Sequence, residues 1–85
     1  MRRTHNNNAK KDFYKIIKGI NVMSDYIIGY YYSKNKKYAI ELSSGEFMGS
    51  KIYGVTVADL ETKENSRLSK SFNSEIAALE YINSL

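Results

Sequence analysis

Between Lys51 and Phe72 apolar residues recur at every second position, and beyond Phe72 they recur at every third or fourth. That change of period predicts a strand over residues 51–60, a turn at 61–65, a strand at 66–72 and a helix over 74–84 that folds back onto the sheet. Tyr53, Val55 and Val57 share one face of the first of these strands, with Gly54, Thr56 and Ala58 on the other. Asn73 or Ser74 supplies the helix cap. Ile76, Leu79 and Ile82, with Ala78 beside them, form the stripe expected to cover Tyr53, Val55 and Val57.

The first half of the chain has the same two periods in reverse order. Phe13, Ile16, Ile17 and Ile20 recur at i, i+3, i+4 and i+7, with Lys11, Lys15 and Lys18 opposite, which predicts a helix from Lys10 to a stop at Gly19. A strand over 13–22 is the rival reading, because Ile and Val are β-branched. Residues 25–33, rich in Tyr and Ile, read as a strand. Tyr26, Ile28, Tyr30 and Tyr32 are expected on one face, Ile27 and Tyr31 on the other. After a polar turn at 34–37, Tyr38, Ile40 and Leu42 alternate with Ala39, Glu41 and Ser43 to complete a hairpin, and residues 43–50 are expected to form the main loop. The expected architecture is α+β: a small antiparallel sheet of about four strands with an N-terminal and a C-terminal helix. The N-terminal helix is the expected cover for the second face of the sheet. If it lay elsewhere, Ile27 and Tyr31 would favour self-association.

Eighty-five residues suffice for one domain, taken as residues 9–85 behind a flexible basic tail at 1–8. The chain has no cysteine, which favours a cytoplasmic location, and the sequence reads as having neither a signal peptide nor a membrane span. Its net charge of +4 is unevenly placed. Arg2, Arg3, Lys10 and Lys11 precede the first acid, Asp12, and the nine bases that remain of thirteen balance the nine acids. Lys, Asn, Ile, Tyr and Phe, which have AT-rich codons, total 38 residues against 13 for Gly, Ala, Arg and Pro, so an AT-rich genome is expected.

Catalytic chemistry finds few residues. His5 lies in the tail, Asp25, Asp59, Glu61 and Glu64 lie in or beside turns, and Gly45, Gly49 and Gly54 have no phosphate-loop spacing. We therefore expect a protein that is not an enzyme and holds no cofactor or metal. Binding chemistry is better supplied. Arg2, Arg3, Lys10 and Lys11 form a basic arm suited to a phosphate backbone, and Lys34, Lys36 and Lys37 beside Tyr32 and Tyr38 join charge to stackable rings. Tyr31, Tyr32, Phe47 and Met48 are the candidates for contact with a protein partner.

Residues 53–82 resemble the three-stranded-sheet-plus-helix DNA-binding domains of the AP2 and integrase arm-binding kind. The shared pattern is an aromatic-led strand, the turn DLETKENS, the short basic strand RLSKS, and then FNSEIAALEY. The resemblance implies DNA reading from the exposed sheet face, where this chain carries Gly54, Thr56, Ala58, Ser69 and Ser71, with Arg67 the one base. In size, codon bias and poverty of catalytic residues the chain also resembles accessory proteins of phages and other mobile elements. That class includes DNA-binding regulators and stoichiometric inhibitors of host defence such as anti-CRISPR proteins. The expected function is non-enzymatic contact with nucleic acid or a nucleoprotein complex through the arm and the 34–37 hairpin. The alternatives are a protein-directed inhibitor of host defence and a homo-oligomeric structural module, with a homodimer as its simplest form.

Overall fold

The alternation that starts at Tyr38 becomes one long hairpin. The computed structural model describes residues 7–17, 26–62 and 67–85. In it β2 (Tyr38–Phe47) and β3 (Ser50–Asp59) pair antiparallel from Tyr38↔Asp59 to Phe47↔Ser50 without a break in register. β1 (Tyr26–Tyr32) and β4 (Arg67–Phe72) flank this hairpin, giving a four-stranded antiparallel sheet in the order β1-β2-β3-β4. Helix α1 (Asn7–Ile16) lies on one face and α2 (Glu75–Ser84) on the other, so the fold is α+β with an N-terminal and a C-terminal helix.

Strand alternation sorts the side chains between two cores. Tyr31, Ile40, Leu42, Val55 and Val57 bury against Ala78 and Ile82 of α2. Tyr30, Ala39 and Ala58 bury against Ala9, Phe13 and Ile17 at α1. The small residues at 39 and 58 are where α1 comes down on the sheet, so the N-terminal helix does supply the second cover.

Four expectations about the elements are corrected. Residues 43–50 are not a loop: Ser43 to Phe47 continue β2, Ser50 opens β3, and only Met48 and Gly49 turn. Both turn residues have positive φ, 52° and 81°, the combination of a type I′ hairpin turn. Ser43 and Ser44 look like loop residues in sequence but are buried in a central strand, and Ser43 faces Gly54, where an added Cβ would lie 3.3 Å from its Oγ. Next, β1 does not alternate evenly. A bulge between Ile27 and Gly29 puts Ile28 with Tyr31 on the α2 side, and Ile27 with Tyr30 and Tyr32 on the α1 side.

The helices account for the other two corrections. Ser74 is the α2 cap, its hydroxyl accepting from the Ala77 N–H at 3.1 Å. Ile76, two residues and so about 200° from Ala78, faces outward with 71% exposure, and the inward positions belong to Ala78 and Ile82, flanked by Leu79, Tyr81 and Leu85. At the other end of the chain, α1 starts at Asn7, before Lys10, because Ala9, Phe13 and Ile17 at i, i+4 and i+8 form its buried line. Lys18, Gly19 and Ile20, with residues 1–6, 21–25 and 63–66, lie outside the described residues.

Candidate nucleic-acid interface

With Ala9 and Phe13 pointing inward, the helical period turns Asn7, Lys10, Lys11, Tyr14 and Lys15 outward, and these five line a shallow open depression. Lys15 sits in the last turn, where a cation is favoured by the helix dipole, and its Nζ lies 3.9 Å from Asp12 Oδ1. Asp12 also accepts a hydrogen bond from the Tyr32 hydroxyl, and this acceptor carboxylate, together with burial, pushes the Tyr32 phenol up to about 12. Lys36 of the β1–β2 turn completes the connection, with its Nζ 5.7 Å from the Tyr32 ring centroid. One helix lysine, Lys15, and one hairpin-turn lysine, Lys36, separate in sequence, therefore meet at the Tyr32–Asp12 pair.

The turn that presents Lys34, Lys36 and Lys37 is built on Ser33. Its buried hydroxyl accepts from the Lys37 and Tyr38 N–H groups at 3.1 and 3.0 Å and donates to Asn35 Oδ1 at 3.1 Å. The Lys36 N–H closes the turn on the Ser33 carbonyl at 3.0 Å, with Lys36 in the left-handed region at φ 58°. The Lys34 N–H reaches the Leu85 carbonyl at 3.4 Å, and Lys37 Nζ lies 4.0 Å from Glu61 Oε1. Six lysines (10, 11, 15, 34, 36, 37) stand against three acids on or beside this surface, Asp12, Asp59 opposite Tyr38, and Glu61, a local excess of three positive charges.

Behind the lysine face lies a buried polar chain that no sequence motif announces. Glu41, 1% exposed, faces α1 from the centre of β2, and its Oε2 accepts from the Tyr30 hydroxyl at 2.8 Å. The Tyr30 oxygen is 2.7 Å from that of Tyr14. A hydroxyl has one proton to give, so with Tyr30 donating to Glu41, Tyr14 donates to Tyr30. Burial raises the Glu41 carboxyl above the ordinary glutamate value, although the Tyr30 bond pulls the other way. Burial first, and then the bonds to Tyr14 and Glu41, lift Tyr30 far above the tyrosine range. Glu41 has no open position to offer a substrate, so it serves as the anchor of this chain. Alternation places it with Ala39 and Ser43 on the second face of the sheet, and the pairing across the β1–β2 turn, which sets Tyr30 opposite Glu41, reveals its partner.

The remaining candidates separate. Tyr31 is buried against the α2 core at 7% exposure, so its assignment to a partner surface is corrected; it pairs with Ile40 on the face that α2 covers. Tyr32 is half-buried between Asp12 and Lys36. Phe47 and Met48 are exposed at 64% and 88% on the β2–β3 turn, at the far end of β2 from Lys37, about 30 Å away for a strand of this length. Arg67 opens β4 opposite Ala58, its side chain outside the described residues, and Arg2, Arg3 and His5 lie outside them as well. On the sheet face implicated by the AP2 resemblance, Ala58 is fully buried in the α1 core, while Ser69 and Ser71 are exposed. Among the described residues, no group of three or more His, Cys, Asp or Glu is placed to hold a metal ion, and no helix is long and apolar enough to cross a membrane.

No protein-family model, curated protein or solved structure matches this chain.

Proposed function

We propose that the protein is a non-enzymatic, cytoplasmic binding protein that holds nucleic acid, free or within a nucleoprotein complex, on the face formed by α1 and the β1–β2 turn. The observation that carries this reading is the approach of Lys15 and Lys36 to the two sides of the Tyr32–Asp12 bond, which joins the α1 depression lined by Lys10, Lys11 and Lys15 to the lysines of the β1–β2 turn. Lys34 and Lys37 widen it, and Arg2 and Arg3 add charge on the N-terminal side of α1 in sequence. Such a surface binds phosphates with release of counterions, so affinity falls steeply with salt. The test is fluorescence anisotropy of labelled oligonucleotides against the wild type and a variant with Lys10, Lys11, Lys15 and Lys36 all changed to Gln. The wild type should bind at low salt, and the variant should lose up to about 3 units of the log K against log salt slope, roughly 0.7–0.9 per phosphate contact. No binding by the wild type, or an unchanged slope in the variant, refutes the reading.

A second reading, a protein-directed inhibitor of the phage or mobile-element kind, is favoured by one observation at the other end of the sheet. Met48 holds a left-handed backbone that costs a side-chain-bearing residue about 1 kcal/mol, yet it is among the most exposed side chains of the molecule, with Phe47 beside it. Strain retained under an exposed apolar side chain suits a hot spot for a protein partner. Met48→Asn relieves the strain and should stabilise the fold by about 0.5–1 kcal/mol in urea denaturation while abolishing capture of that partner in high salt. A variant that captures as well as the wild type removes this reading.

A further inference from the structure

We infer that Tyr14 is a stacking platform for an unpaired nucleobase, and hence that the polyanion taken by the lysine face is single-stranded. The inference rests on the nucleic-acid reading above and adds to it the form of the ligand.

The argument starts from how Tyr14 is held. An exposed tyrosine on a helix ordinarily turns freely, and ordering it on a ligand costs side-chain entropy. Here the hydroxyl is fixed by its 2.7 Å bond to Tyr30, which is in turn fixed by Glu41 in the core. The ring contacts Phe13 edge-on at 5.8 Å and 84°, and Tyr30 at 5.7 Å. Tethered through its hydroxyl and backed by two rings, Tyr14 still keeps 45% exposure. It lies in the depression whose other described lining residues are Asn7, Lys10, Lys11 and Lys15.

That arrangement matches what single strands require of a protein, an aromatic ring for the base and cations at backbone distance for the phosphates on either side. Lys10 and Lys11 stand at i−4 and i−3 from Tyr14, on its side of the helix, and Lys15 completes the charged lining of the depression. A duplex has no use for the ring, because its bases already stack on one another. The same lysines alone would take single and double strands alike. Tyr32, the other ring of this surface, has its hydroxyl on Asp12 and Lys36 over its face, which leaves Tyr14 as the ring on offer.

The experiment measures anisotropy with a single strand and with the duplex of the same sequence, using wild type, Tyr14→Ala and Tyr14→Phe, each first checked for the wild-type circular dichroism spectrum. Wild type should prefer the single strand. Tyr14→Ala should weaken single-strand binding by roughly 5- to 150-fold, the range for one stacked base, with the salt slope unchanged. Tyr14→Phe keeps the ring and should stay within a few-fold of wild type. An iodouracil-substituted single strand, irradiated in the complex, should crosslink at Tyr14. Equal affinity for single strand and duplex, or an undiminished Tyr14→Ala, overturns the stacking role and leaves the lysine face standing as a general phosphate binder. No binding of either form overturns both.

Discussion

Replacing Tyr30 by Phe removes one oxygen and tests the chain from the lysine face to the core. The substitution takes the donor from a buried Glu41 and the acceptor from Tyr14. A hydrogen bond to a charged group contributes about 1.5–3 kcal/mol, and a neutral bond at the half-exposed Tyr14 adds little, so Tyr30→Phe should cost about 2–3 kcal/mol where Glu41 is ionised, above its raised value. A domain of this length has about 4–13 kcal/mol in all, so the loss is a large share of its stability. Exchanging Glu41 for Met in the same chain removes the orphaned carboxylate at similar volume, and the double variant should recover about 1.5–3 kcal/mol of the summed single costs. Urea denaturation with an unchanged m value reads each corner of the cycle. The pH dependence follows from the raised Glu41 carboxyl. The folded state holds that proton more tightly than the unfolded chain, so wild-type stability is lost as pH rises from the ordinary glutamate value through the raised one. At the acid end of that interval Glu41 is neutral, and the Tyr30→Phe penalty should shrink to about 0.5–1.5 kcal/mol. Additivity of the two substitutions within about 0.5 kcal/mol, or a penalty that does not change across the interval, would refute the reasoning.

Glu41→Gln should flatten the fall of wild-type stability with rising pH, because the group that binds the extra proton is gone; a slope like that of the wild type in urea midpoints measured across the interval would place the linkage elsewhere. Ser33→Ala takes the buried acceptor from the Tyr38 N–H, while the Lys37 N–H keeps Asn35 Oδ1 at 3.2 Å, and should cost about 1–3 kcal/mol. Because Ser33 frames the turn carrying Lys34, Lys36 and Lys37, the same variant should also weaken oligonucleotide binding at low salt, and an unchanged affinity would show that the turn contributes nothing to the interface.

Local signals along the chain are enough for most of the elements and their order. Period two at Tyr53, Val55 and Val57, period 3.6 after Phe72 and again around Phe13, and a cap at Asn73 or Ser74 were each legible because they are local, set by backbone geometry and neighbouring residues. The sequence also marked the charged ends, Lys10, Lys11, Lys34, Lys36 and Lys37, since charge placement needs no fold to be read. Other features depend on how elements pair and pack across the sheet. The bulge after Ile27 brings Ile27 onto the same face as Tyr30 and Tyr32, and a one-residue shift of this kind leaves no trace in the alternation of a strand that is apolar on both faces. The serines and glycine of residues 43–45 carry turn chemistry locally, but a central position between β1 and β3 gave their backbone a ladder, and the ladder prevailed. The lysine face, too, is a tertiary fact: only the packing of α1 over Ala39 and Ala58 brings Lys15 and Lys36 to the two sides of the Tyr32–Asp12 bond.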